Sequence, residues 1–262
     1  MIKYLDGINY NDVSSKCPQV IDFCQKSGVG VSALGPFLSY GTAFDFADAW
    51  VQYDDEGLIT AFILKFYGNV TVVTCEKSEA EEIREFLGII GYSSLLSERC
   101  DIFPVQPVKT GCIMGLESGA LCKAVTTKEE FSITDGEIFD LEDYRAFYSV
   151  LMKNNPGYIC TSSDDFIFDF SHRVRHGISC PVMLKVSGEA VSTAAAMCIA
   201  PDSVFLGAVS TNENCRGKHY AFTLIKYLCE KYRDKTIYLR CEKTKRSFYE
   251  KAGLQLIGDF YA

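Results

Sequence analysis

Arg216-Gly217-Lys218 brings two positive charges and a glycine to a strand-to-helix junction. Residues 204–211 read as a hydrophobic strand, 212–215 as a short polar loop, and 217–232 as an amphipathic helix with Tyr220, Leu224, Tyr227, Leu228 and Tyr232 at helical spacing. A helix start leaves backbone N–H groups unpaired and carries a partial positive charge, which suits a phosphate or pyrophosphate. Gly217 lets the backbone approach such a group closely, and Arg216 and Lys218 add charge. An ordinary helix start with two solvated basic residues fits the same pattern, so the residues alone leave both readings open.

Other candidates for chemistry are weaker. His172 and His176 stand four apart on a helical pattern, but they frame His-Arg-Val-Arg-His, whereas a zinc protease needs His-Glu-x-x-His. Two intervening arginines repel a cation, so the expected metal is none and the pair reads as a solvated helix face. The chain has twelve cysteines, none in CxxC spacing; the nearest pair, Cys17 and Cys24, is seven apart. Cys198, Cys229 and Cys241 lie in apolar runs, where a thiol is a small buried hydrophobe. The first sixteen residues carry no apolar signal segment and no stretch is long enough to span a bilayer, so a cytoplasmic protein with reduced thiols is expected. Trp50 and the aromatic residues from Phe37 to Phe46 read as core.

The 262 residues are 48% hydrophobic and include 18 Phe and 15 Tyr, which excludes a disordered chain. A net charge of -8 with scattered basic residues argues against nucleic acid as a partner, and the lack of a spanning segment argues against a membrane.

The elements that position the basic loop form half of an internal repeat. Residues 49–75 alternate as strand, turn, strand, turn, strand, with turns at Asp54-Asp55-Glu56-Gly57 and Gly68-Asn69. Residues 182–211 repeat that plan, with turns at Ser187-Gly188-Glu189 and Pro201-Asp202-Ser203. A helix and a strand follow each meander, at about 78–90 and 93–96 in the first half, and at 217–232 and 237–241 in the second. Two helical patterns, 141–153 and 164–175, precede the second meander, the latter opening on a Thr161-Ser162-Ser163-Asp164 cap. Prolines and glycines make 100–119 a connector, dividing the chain into domains at 1–110 and 118–262. This order predicts an α+β fold, a mixed α/β sandwich and not a doubly wound sheet.

The basic loop resembles the acyl-CoA-binding motif of the GNAT N-acetyltransferase superfamily, Arg/Gln-x-x-Gly-x-Gly/Ala after a strand that often ends Val-x-Thr. Val209-Ser210-Thr211 stands at the strand end, and Arg216-Gly217-Lys218-His219-Tyr220-Ala221 follows, with Arg216 and Ala221 matching and His219 in place of the central glycine. Downstream, Arg246-Ser247-Phe248-Tyr249-Glu250-Lys251-Ala252-Gly253-Leu254 is similar to the family's last helix, Phe/Leu-Tyr-Glu-Lys-x-Gly-Phe. The likeness covers residues 139–262 well and the first half only in topology.

The resemblance implies two tandem GNAT-like units, each a central, mostly antiparallel sheet flanked by helices. It implies acetyl-CoA as cosubstrate, with Val209 and Thr211 pairing the pantetheine like an added strand and the amides from Arg216 to Ala221 holding the pyrophosphate. Ser210, Gly217, Lys218, His219 and Tyr220 belong to the same expected site, and Tyr249 would protonate the departing thiolate. The first half offers no such loop: its strand ends at Val73-Thr74-Cys75 and runs into the acidic stretch from Glu76 to Glu82, so it reads as a degenerate copy that keeps only the fold. Glu213, Glu242 and Asp259 are carboxylates for a general base, but each equally suits a surface position, and the base is left unassigned. The helix carrying His172 and His176 lines the acceptor site in the resembled family.

The expected function is N-acetylation of a small-molecule or peptide amine. A transferase using aminoacyl-tRNA is disfavoured by the acidic balance and the retained basic loop. The alternative from another class is a non-catalytic acyl-CoA sensor, favoured by His219 and the missing base and disfavoured by Tyr249.

Overall fold

The computed structural model describes residues 1–122, 130–155 and 162–262. Two compact units emerge: unit 1 takes Met1–Gly115, Arg240–Arg246 and Leu256–Ala262, and unit 2 takes Leu116–Leu239 and Ser247–Gln255. The chain begins with β1 (Ile2–Tyr4), α1 (Val13–Lys16), α2 (Pro18–Cys24), α3 (Gly28–Tyr40) and β2 (Ala47–Tyr53). It continues through β3 (Ile59–Phe66), β4 (Asn69–Thr74), α4 (Ala80–Ile90), β5 (Ser94–Ser97) and β6 (Thr110–Leu116). Then come β7 (Ser132–Asp135), α5 (Leu141–Asn154), α6 (Ser163–Arg175), β8 (Cys180–Val186), β9 (Glu189–Ile199) and β10 (Ser203–Thr211). The last elements are α7 (Tyr220–Lys231), β11 (Thr236–Glu242), α8 (Arg246–Ala252) and β12 (Gln255–Tyr261).

The internal repeat is real in three dimensions. In unit 1, β2, β3 and β4 pair antiparallel, and α4 crosses over to β5, which runs parallel to β4 from Asn69↔Ser94 to Val72↔Ser97. In unit 2, β8, β9 and β10 pair antiparallel, and α7 crosses over to β11, parallel to β10 from Ser203↔Thr236 to Leu206↔Leu239. Strand order is β1-β2-β3-β4-β5-β12-β6 within unit 1 and β11-β10-β9-β8-β7 within unit 2. Each unit is therefore a mostly antiparallel sheet with helices against it, the mixed α/β class expected from the sequence.

Each sheet buries alternate side chains against its helices. In unit 1, Ala61, Ile63, Val70 and Val72 pack on Ile83 and Leu87 of α4. In unit 2, Met183, Ala195 and Ala208 pack on Phe147 and Leu151 of α5 and on Phe166, Ile167 and Phe170 of α6. The aromatic run of unit 1 is core only in part: Phe37 is buried with its ring 5.1 Å from Phe62, half-buried Trp50 meets Phe86 edge-on at 5.2 Å, and Phe44 is exposed.

Two stretches differ from the sequence expectation. Residues 100–119 are not merely a connector, because β6 lies within them and is buried from Gly111 to Leu116. Its glycines serve packing instead of bending: a Cβ on Gly111 would sit 2.3 Å from the Phe260 ring, and one on Gly115 would sit 2.9 Å from Ile257. Residues 13–40 form three helices that hydrophobic periodicity does not announce. In α3 the pattern is interrupted by Gly28, Gly30, Gly35 and Pro36, yet a Cβ on Gly30 would collide with the Cys24 carbonyl at 2.0 Å, so this glycine is what lets α3 approach α2.

Candidate functional site

The site begins in unit 2 with an irregularity in β10. Register with β9 runs from Gly207↔Ala195 to Ser210↔Thr193, so Ala208 and Val209 together face one residue, a β-bulge with Ala208 at φ 52°. The Thr193 hydroxyl donates to the Ala208 carbonyl at 2.9 Å, and the Ser192 hydroxyl donates to the Ser210 carbonyl at 2.8 Å. Both carbonyls thus point toward β9. By alternation along the strand, the main-chain groups of Val209 and Thr211 point the opposite way. On that side the register with β11 ends at Leu206↔Leu239, so among the described residues the end of β10 has an open edge.

Helix α5 fixes this strand end. Asn155 donates its side-chain amide to the Ser210 hydroxyl at 3.1 Å, Ser210 donates to the Val150 carbonyl at 3.2 Å, and Asn154 bonds Asn212 at 3.1 Å. These bonds tie the strand to the last turn of α5.

Helix α7 starts at Tyr220, three residues later than expected from the sequence. The reason is local backbone: Gly217 has φ 80° and His219 has φ 64°, ψ 16°, both left-handed, so neither continues a right-handed helix. His219 is therefore the N-cap, in a conformation glycine adopts cheaply, which explains why a glycine suits this place in the resembled motif. Whereas α5 is capped by Asp140 and α6 by Ser162, the N-cap His219 side chain makes no cap bond to α7, whose first turn holds no acid. Its first N–H groups have no intrahelical carbonyl to reach.

A cavity of about 460 Å³ opens at this helix start. Of the residues expected at the cofactor site, Thr211, Arg216, Gly217, His219, Tyr220 and Ala221 line it, while Val209, Ser210 and Lys218 do not. The opposite wall is α8, through Ser247, Phe248 and Lys251, which share one face of that helix. These three, with Cys215 and Phe222, were missed in the sequence; their signal was the i, i+4 spacing of Ser247 and Lys251, hidden beside the more conspicuous Tyr249. Tyr249 is 7% exposed, is not among the residues lining this cavity, and packs edge-on against Phe248 at 5.0 Å.

Glu213, Glu242 and Asp259 are exposed and none lines the cavity; Glu242 pairs with Lys109 at 3.7 Å. The His172 and His176 rings lie 4.5 Å apart at the end of α6, and His176 is held below its ordinary pKa by desolvation, then by the neighbouring His172 and Arg175 charges. Among the described residues no three His, Cys, Asp or Glu side chains gather as metal ligands, every cysteine is free, and no helix is long and apolar enough to cross a membrane.

At the corresponding helix start in unit 1, the N-cap Glu79 side chain likewise makes no cap bond, but a buried glutamine and two acids stand there. Gln52, fully buried, accepts the Glu79 N–H at 3.0 Å and donates to Glu82 at 2.7 Å. Glu81 and Glu82 occupy the first turn of α4, where they suit the helix dipole and repel an anion.

Residues 143–254, which run from the first turn of α5 to just past α8 and include both cavity walls, match the Acetyltransferase (GNAT) family. This segment is a GNAT-family domain. Solved structures extend the fold likeness over the whole chain. A Drosophila protein is 10% identical with a TM-score of 0.64, covering 99% of this chain and 97% of its own. A GCN5-related N-acetyltransferase from Sphaerobacter thermophilus is 14% identical with a TM-score of 0.60, covering 100% and 93%. A tandem GNAT protein of the clavulanic acid biosynthesis pathway is 11% identical with a TM-score of 0.56, covering 100% and 97%. At these identities the likeness is one of fold, the tandem GNAT fold. No curated protein sequence matches the chain.

Proposed function

We propose that this protein is an acetyl-CoA-dependent N-acetyltransferase acting on a small-molecule or peptide amine in the cytoplasm. Residues 118–262 are its catalytic domain, and 1–110 are a degenerate GNAT-like domain without a cofactor loop. The observation that carries this reading is that a helix start whose N-cap side chain makes no cap bond meets a cavity of about 460 Å³ beside the open edge of β10, inside a GNAT-family segment.

The residues fit an acyl-CoA. The amides from Arg216 to Ala221 are donors for a pyrophosphate, and Arg216 and Lys251 place two cations at the cavity wall. Val209 and Thr211 present main-chain donors and acceptors along the open strand edge, suited to the amides of a pantetheine arm. Acetyl-CoA supplies the thioester whose carbonyl the amine attacks. The chain itself contributes positioning, with main-chain donors near the bulge polarising the carbonyl. Tyr249 is the proton donor to the leaving thiolate on the strength of the resembled motif.

A second reading is favoured by the cavity wall: among the described residues no carboxylate lines it, and Tyr249 is buried in α8. It makes the protein a non-catalytic acyl-CoA sensor. Thermal shift with acetyl-CoA, followed by a panel of amines with release of free CoA as the readout, separates the two. Binding with turnover on an amine supports the enzyme, binding without turnover supports the sensor, and no binding removes both.

A further inference from the structure

Unit 2 contains a second cavity, of about 630 Å³, that shares no lining residue with the first. It lies at the other end of α7, where Lys231 and Tyr232 line it. Twelve residues of helix put roughly 18 Å between the two ends. The cavity volume is that of a small-molecule site.

The polar groups of this cavity divide into those already committed and those that are not. Lys231 bonds both Asp135 and Glu137 at 2.8 Å, and Asp135 also accepts from the Tyr227 hydroxyl at 2.8 Å and the Cys180 thiol at 3.4 Å. Tyr232 is hydrogen-bonded with Cys180, Ser179 donates to the Met197 carbonyl at 2.9 Å, and Ser171 donates to the Phe168 carbonyl at 3.2 Å. Two groups remain. Tyr144 is 7% exposed, lines the cavity, and among the described residues has no hydrogen-bond partner for its hydroxyl. Arg175, at the end of α6, lines the cavity without a carboxylate partner among the described residues, close enough for its charge to act on the Tyr144 phenol.

A tyrosine hydroxyl at the cavity wall and an unpaired guanidinium beside it can both donate to one planar anion. The rest of the wall is apolar, with Phe139, Val174 and Ile199. The charge of Arg175 admits one negative charge; a phosphate dianion would meet the carboxylates of Asp135 and Glu137 beside Lys231. We propose that this cavity is a second ligand site, binding a small monocarboxylate with an apolar body, its carboxylate on Arg175 and Tyr144.

Calorimetric titration of the full chain tests this with 3-phenylpropionate, hexanoate and indole-3-acetate, each against its neutral amide. At least one acid saturates a single site and binds about tenfold or more tighter than its amide. Arg175→Gln, at an exposed position, weakens that binding about tenfold or more, and Tyr144→Phe, which keeps the ring in the core, weakens it by about threefold to tenfold. Acetyl-CoA, added first, leaves the acid affinity in place, whatever the outcome for acetyl transfer. No saturable binding by any acid, equal affinity for the amides, indifference to both substitutions, or displacement by acetyl-CoA would each overturn the proposal.

Discussion

Gln52 accepts the backbone N–H of Glu79, the N-cap of α4, at 3.0 Å, at the helix start in unit 1 that corresponds to the cavity-lining start of α7 in unit 2. The same glutamine accepts from the Thr60 hydroxyl at 2.9 Å and donates to the Glu79 carbonyl at 3.2 Å. A fold repeated twice has thus spent one helix start on internal structure. Gln52→Ala strands these buried partners and lowers stability by about 1–3 kcal/mol in denaturant unfolding. It leaves acetyl-CoA affinity unchanged, because Glu81 and Glu82 still bar an anion. A new acetyl-CoA site in that variant would contradict this.

His219 holds a left-handed backbone that costs a side-chain-bearing residue about 1–2 kcal/mol. Glycine relieves that strain but gains about 0.4–1 kcal/mol of unfolded-state entropy, so His219→Gly raises stability slightly on balance. Acetyl-CoA binds this variant as tightly as the parent, since the amide is retained. A tenfold loss would instead make the imidazole a phosphate donor.

Tyr249→Phe tests the proton donor. A thiol of ordinary pKa about 8.5 leaves unaided, so the acid contributes at the low end of its range, about 10²-fold in turnover. Acetyl-CoA affinity stays the same, the mark of an interaction made only in the transition state. Wild-type turnover with chemistry shown to be rate-limiting would leave Tyr249 as packing beneath Phe248.

The first half cannot be removed cleanly. Unit 1 includes Leu256–Ala262, where Phe260 packs against Gly111 and the Ala262 N–H bonds the Lys109 carbonyl at 2.9 Å. A chain of residues 118–262 strips these partners and exposes apolar surface, so it is insoluble or poorly active. Full activity from it on the same acceptor would refute a structural role for the first half.

Asp135 gives a pH signature. Burial pushes its carboxyl up, but hydrogen bonds from Lys231, the Glu137 amide and Tyr227 outweigh it and hold the pKa below the usual range. A depressed carboxylate contributes stability above its unfolded value of about 3.9, and that contribution is lost as pH falls through the folded value. Lys231 is raised: burial lowers it, and its bonds to Asp135 and Glu137 prevail, so its contribution holds below about 10.4 and fades as pH rises past the folded value. Asp135→Asn therefore lowers the urea midpoint at neutral pH, and the gap from the parent closes under acid. A gap that widened on acidification would contradict the assignment.

Local patterns were legible in the sequence wherever one segment carried the signal. Strand, basic loop and helix from Ser203 to Lys231 could be read because the charge, the glycine and the apolar spacing all sit within one stretch. β6 was hidden because Gly111 and Gly115 look like turn residues until Phe260 and Ile257, far along the chain, are seen filling their places. α3 was hidden by Gly30 for the same reason. The second cavity was out of reach altogether, since Tyr144, Arg175 and Lys231 meet only after the sheet has formed.

Calorimetric titration of acetyl-CoA into the full chain tests the central claim most directly. The account predicts one site per chain, with binding abolished in Gly217→Glu. At Gly217 (φ 80°) the substitution adds backbone strain and places a negative charge where a pyrophosphate must sit. Two equivalent sites, no binding by the parent, or full binding by Gly217→Glu would contradict it.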